Sequence, residues 1–140
     1  ARSHPGGALG RKLLTHVADV MRSGNAIPRV SLEATFSELM REMSAKGLGA
    51  TAVVDAAGCV AGVFTDGDLR RLLEQGADLR SKTAQDVMHV APLSIASNAL
   101  AADAAGMMEH HRIHFLLVVN SEGGLCGALN THDLMRAKVI

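Results

Sequence analysis

The chain has 140 residues, 48% hydrophobic and 20% charged, with 14 basic side chains balanced by 14 acidic ones. This length and apolar content support one compact domain or two small fused ones. Zero net charge without a basic block, no Trp or Tyr, and only Phe36, Phe64 and Phe115 as aromatics argue against a nucleic-acid partner held by phosphate electrostatics and base stacking.

Ala1 to about Lys12, containing Ser3-His4-Pro5-Gly6-Gly7, is a polar, Gly-rich lead with no apolar period, expected to be mobile. A short helical turn follows, ending at Val20-Met21, and then an extended segment marked by Pro28. Leu32, Phe36, Leu39, Met40 and Met43 recur at helical spacing and predict a helix from about Thr35 to Lys46, stopped by Gly47. Ala50–Val54 and Val60–Phe64 are short β-prone runs about a turn at Asp55–Gly58, and Thr65 opens the next helix. After a charged linker from Glu74 to Thr83, the order returns: a turn ending at Val87-Met88, a helix over Ala99–Arg112, strands over Phe115–Val119 and Leu125–Leu129, and a helix over Thr131–Ala137.

The return is also literal. Asp19-Val20-Met21 reappears as Asp86-Val87-Met88, Val53-Val54 as Val118-Val119, Gly62 as Gly127 and Asp68-Leu69 as Asp133-Leu134, at offsets of 67, 65, 65 and 65 residues. An ordered series of this kind is a duplicated β-α-β-β-α unit with a pseudo-two-fold axis and two related clefts. No apolar run reaches the roughly 18 residues of a membrane span, and the first residues lack the order of a signal peptide. A cytoplasmic protein with no membrane partner is expected, with Cys59 and Cys126 as two unpaired buried thiols.

The junction Gly62-Val63-Phe64-Thr65-Asp66-Gly67-Asp68 is the sharpest local motif. A strand running into a helix presents free backbone N–H groups to an anion, and a carboxylate one turn in can accept from ribose hydroxyls. Thr65 followed by Asp68 is equally a helix-capping box, which needs no ligand. Asp66 and Asp68 diverge on a starting helix, and His110, His111, His114 and His132 lack a completing Cys or carboxylate at ligand spacing, so no metal site is expected. No spacing assembles a Ser-His-Asp or Cys-His arrangement.

With Val17-Ala18-Asp19-Val20-Met21 and Thr83-Ala84-Gln85-Asp86-Val87-Met88 opening the copies and Gly-hydrophobic-x-Thr-x-x-Asp closing the first, the chain resembles a pair of cystathionine-β-synthase (CBS) domains. The segments Ser3-His4-Pro5-Gly6-Gly7-Ala8-Leu9-Gly10-Arg11, Phe64-Thr65-Asp66-Gly67-Asp68-Leu69-Arg70-Arg71 and His132-Asp133-Leu134 further resemble the C-terminal part of D-arabinose 5-phosphate isomerases, sugar-isomerase (SIS) enzymes that feed Kdo synthesis for lipopolysaccharide or capsule. The resemblance implies an α/β (α+β) fold of tandem CBS domains: residues 1–13 as a remnant or linker from a SIS domain, 14–75 as the first CBS domain and 76–140 as the second.

It implies no catalysis by this chain itself, since the SIS domain would precede Ala1 and His4 would be a catalytic remnant stranded from its partners. It places a nucleotide motif on Gly62, Thr65 and Asp68, with Ile27-Pro28 and Leu48, Gly49 and Thr51 as apolar walls and Asp66 beside them. The second copy departs from this motif, with Asn130 for Thr65 and His132 for Gly67, although Asn130, His132 and Asp133 keep its cleft polar. His114 joins these candidates, and Arg22, Lys46, Arg70, Arg71 and Arg112 are the candidate cations, because guanidinium groups pair bidentately with carboxylate or phosphate. The resemblance implies a regulatory module that senses a small-molecule nucleotide and modulates the attached isomerase, with the pathway product CMP-Kdo first and an adenine nucleotide (AMP or ATP) as the alternative; a purely structural module that helps the enzyme oligomerise is the other reading. The implied partners are the chain's own SIS domain and further copies joined through CBS-CBS pairing.

Overall fold

The computed structural model describes residues 8–140. His4 and the rest of the Ser3–Gly7 segment therefore lie outside the described residues. The second half of the lead is not structureless, because Ala8–Leu14 is a helix, α1, packed beside a later helix of the second repeat.

In the first repeat the chain runs α2 (Val17–Val20), β1 (Arg29–Ser31), α3 (Phe36–Lys46), β2 (Ala50–Val54), β3 (Val60–Thr65) and α4 (Asp66–Glu74). The second gives α5 (Ala84–Val87), β4 (His89–Val90), β5 (Ser94–Ile95), α6 (Ala101–His111), β6 (Phe115–Val119), β7 (Leu125–Asn130) and α7 (Thr131–Arg136). Gly47 ends α3 at φ 65°, a left-handed conformation that glycine adopts without a Cβ penalty. One sheet has the order β1-β2-β3-β4 and the other β5-β6-β7; each begins with a parallel pair and continues antiparallel. Ile27, Leu48, Ala50, Ala52 and Val63 meet Leu117 and Ala128 between the sheets, and a separate apolar cluster lies under the helices of each repeat. The result is helices, sheet, sheet, helices around a pseudo-two-fold axis.

Each repeat sends its opening turn to the other. Val17, Val20 and Met21 pack into the cluster of Ala101, Ala104, Leu116 and Leu134, while Ala84, Val87 and Met88 pack with Leu39, Val53 and Phe64. The hydrogen bonds are reciprocal: Ala101 N–H donates to Thr15 O and Val17 N–H to Ala99 O, and Phe36 N–H donates to Lys82 O and Ala84 N–H to Ala34 O. The crossing continues past the turn. His89 pairs with Val63 in β3, and Arg22 forms the corresponding bridge to Ala128 in β7. The sequence reading has no strand at His89–Val90, because two residues carry no detectable alternation. Cys59 and Cys126 are free thiols and half-buried rather than buried.

Thr51 pairs with Phe64 across β2–β3 and is fully buried, and its hydroxyl has no hydrogen-bond partner among the described residues. Thr51→Val keeps the shape and removes the unpaired group, so it should raise stability by about 1 kcal/mol in urea unfolding. A lower midpoint would show that the hydroxyl is satisfied.

Glu38 and Asp86 close capping boxes at Thr35 and Thr83. Both carboxyls sit below their ordinary range, first because the backbone N–H of the cap residue donates to them and next because of that residue's side chain. A lowered folded-state pKa stabilises the fold above the unfolded-state value, and that stabilisation is lost as pH falls through the folded-state value. The Tm should therefore decline on acidification through the carboxylate range, and the double variant Glu38→Gln/Asp86→Asn should decline less steeply over that range. Parallel curves would mean that these caps do not contribute.

Candidate functional site

The two strand-to-helix junctions are built alike. At the first, Asp68 N–H donates to Thr65 Oγ1 and Thr65 N–H donates back to Asp68 Oδ2, both at 3.0 Å. Arg71, one turn on, donates to Asp68 Oδ1 at 2.6 Å. At the second, Asp133 N–H donates to Asn130 Oδ1 and Asn130 N–H to Asp133 Oδ2, both at 3.0 Å, and Arg136 donates to Asp133 Oδ1 at 2.8 Å. Asn130 thus replaces Thr65 without loss of the cap.

The junctions differ in what crosses over from the other repeat. Arg22 lies across the second one: its Nε donates to Asp133 Oδ2 at 3.1 Å, its Nη2 to Oδ1 at 3.4 Å and its Nη1 to Lys46 O at 2.8 Å. A carboxylate offers about four acceptor positions, and Asp133 receives four hydrogen bonds. Asp68 receives two. The residue that corresponds to Arg22 at the first junction is His89, and the space there is open. Val63, Thr65, Asp68, Arg71, His89, Pro92 and Phe115 are among the residues lining a cleft of about 230 Å³.

A larger cleft of about 550 Å³ adjoins it, since Thr65 lines one and Asp66 the other, and Phe115 one and His114 the other. Leu48, Gly49 and Asp66 face His114, Asn130, Thr131 and His132 across this space. The structure therefore brings Thr65 and Asp68 together in the small cleft, and Leu48, Gly49, Asp66, His114, Asn130 and His132 in the large one. Ile27 and Pro28 are buried, Ile27 between the sheets. Thr51 shares a strand face with Phe64 and lines neither cleft.

Gly62 has a packing role: a Cβ there would stand 2.6 Å from Met88 Sδ and 2.9 Å from His89 O. Gly127 meets Met21 and Arg22 in the same way. Arg112 caps α6 in the left-handed region and borders a separate groove between α6 and α7. Lys46 is paired with Glu42 at 2.7 Å, and Arg70 is exposed.

His89, Ala91, Pro92 and Leu93 were missed as cleft residues by the sequence reading. The available signal was the equal position of Arg22 and His89 after the repeated Asp-Val-Met. Among the described residues no three His, Cys, Asp or Glu side chains gather as a metal site, and no helix is long and apolar enough to cross a membrane.

The CBS-domain family model matches residues 17–75 and 84–140. The chain belongs to the CBS-domain family. Its two repeats form a CBS pair, and solved CBS pairs superpose on it: CBSX2 in complex with AMP (TM-score 0.75, 24% identity, 88% of this chain and 95% of that one) and PAE2072 from Pyrobaculum aerophilum complexed with AMP (0.75, 23%, 85% and 89%). The whole CBS pair is also 49% identical to part of the arabinose 5-phosphate isomerase KdsD of Pseudomonas aeruginosa and 41% identical to part of that of Escherichia coli K12. It spans 43% and 42% of those proteins, their C-terminal part.

Proposed function

We propose that this CBS pair is a ligand-sensing module that binds a ribonucleotide or nucleotide sugar at the first junction and regulates an attached D-arabinose 5-phosphate isomerase domain. The observation that carries the reading is the acceptor count at Asp68. Thr65 N–H and Arg71 use two positions of its carboxylate, and the others remain for the cis-diol of a ribose in the cleft that Asp68 lines. Pro92, Leu93, Ile113 and Phe115 give that cleft the apolar walls a base requires.

The adjoining large cleft takes the rest of the ligand. His114, Asn130, Thr131 and His132 supply donors to a phosphate or sugar acid there, and Asp66 supplies an acceptor to sugar hydroxyls. A bipartite ligand such as CMP-Kdo, with a nucleoside at one end and an acidic sugar at the other, uses both spaces. AMP, with which CBSX2 and PAE2072 are complexed, carries no acidic sugar and therefore has no group to fill the large cleft.

Calorimetric titration with CMP-Kdo, CMP and AMP tests this reading. CMP-Kdo should bind tightest, and Asp68→Ala should abolish detectable binding of every ligand. Absence of binding by all of them, or binding indifferent to Asp68→Ala, would overturn the reading. Regulation then requires that the ligand distinguish two states of the whole enzyme, seen as a change in isomerase turnover on adding the ligand.

A further inference from the structure

The two junctions of a duplicated module are expected to take the same ligand, and here an internal side chain separates them. We infer that Arg22 is a built-in occupant of the second junction, and that it holds the pair to one bound ribonucleotide. The inference rests on the nucleotide reading of the first junction and extends it to the second.

Three observations carry it. Arg22 and His89 are structural equivalents, because each follows the repeated Asp-Val-Met and bridges to equivalent strand residues, Ala128 and Val63. The Arg22 guanidinium forks onto Asp133 through Nε and Nη2 and, through Nη1, onto Lys46 O at the C-terminal turn of α3, where helix carbonyls are in excess. The two Arg22 bonds to Asp133, with those from Asn130 N–H and Arg136, fill all four of its acceptor positions, whereas Asp68, buried to a similar degree, has two filled. A ribose arriving at the second junction finds no free acceptor and must displace a paired cation. A shallow groove of about 580 Å³ lies over Asp19, Arg22, Ala26, Asp133 and Arg136, so what closes the second junction to a ribose is the pairing of Asp133 with Arg22 and not a lack of space.

Arg22→His gives the second junction the same crossing residue as the first, where His89 stands. The imidazole is too short to fork onto Asp133 and reach Lys46 O together, so two acceptor positions of Asp133 are released. CMP and AMP are titrated into the whole chain as wild type, Arg22→His, Asp68→Ala and Arg22→His/Asp68→Ala, with circular dichroism confirming folding. Arg22→Gln replaces Arg22→His if the latter does not fold.

Wild type should bind one nucleotide per chain and Arg22→His two. Asp68→Ala should bind none, and the double variant should regain one. One nucleotide per chain in Arg22→His, or none in the double variant, would overturn the inference while leaving the first-junction reading intact. No binding by wild type together with one nucleotide on Arg22→His would defeat the first-junction reading and the limit of one nucleotide with it, leaving only Arg22's occupation of the second junction. No binding by any variant would overturn both.

Discussion

Gly62→Ala should destabilise the fold by about 2–3 kcal/mol, the upper part of the range for overpacking a filled interior. The new methyl group would meet Met88 Sδ at 2.6 Å and Met88 Cγ at 2.9 Å, contacts that a methionine can partly relieve by changing rotamer. It would also meet His89 O at 2.9 Å, and a backbone carbonyl cannot step aside alone. His89 belongs to β4, which is paired with β3 and joined to α5 under the first repeat's helices. Relief therefore requires moving the whole crossed-over segment.

At Gly127 the backbone contact is looser, with Arg22 O at 3.1 Å, so Gly127→Ala should have the smaller effect of the two. Urea unfolding of both variants gives the comparison. Met88→Ala in the Gly62→Ala background separates the two contributions, because only the side-chain clash is removed and the carbonyl contact stays. Equal loss in both glycine variants, or full recovery with Met88→Ala, would show that the carbonyls do not set the limit.

These glycines also show what the sequence makes legible. The recurrence of Asp-Val-Met and of a lone glycine reveals a duplication, but not that Met88 sits on Gly62 and Met21 on Gly127. Periodicity reports which face of an element is apolar, and it is silent about which sheet that face covers. The helices α3, α4 and α7 were legible because each carries a capping residue and a stop or an apolar period of its own. α1 was not: its lead is rich in Gly and its leucines Leu9, Leu13 and Leu14 remain exposed, so no buried face announced it.

Thr51 shows a different limit. Ala50, Thr51, Ala52 and Val53 are all buried, so the strand has no polar side to fix which residues face the clefts. The Thr-x-x-Asp junction was legible as a nucleotide seat or a capping box, and the structure makes both hydrogen bonds of the box. The choice between the junctions depends on what Arg22 reaches from the other repeat, a contact across 111 residues of sequence.

The same difference separates the two aspartates by experiment. Asp133→Ala should cost about 3 kcal/mol of stability, as expected when a largely buried ion pair loses one partner and the other charge is left behind. Arg22 has a side chain only 20% exposed and would keep Lys46 O as its one acceptor, while Asn130 N–H would lose the oxygen that closes its capping box. Asp68→Ala removes a similar cap but leaves no stranded buried charge, because its cationic partner Arg71 is 62% exposed and returns to water. Its cost should be near the ~1 kcal/mol of a lost cap.

Their effects on ligand should run the other way. Asp68→Ala should abolish nucleotide binding in a protein that still unfolds cooperatively near the wild-type urea midpoint, and Asp133→Ala should bind at the first junction with near wild-type affinity below its own lowered midpoint. Both aspartates occupy the same place in the repeated motif, so a module with two equivalent nucleotide sites requires the two variants to behave alike. Matched unfolding midpoints and matched losses of binding would return the junctions to equivalence and remove the role assigned to Arg22.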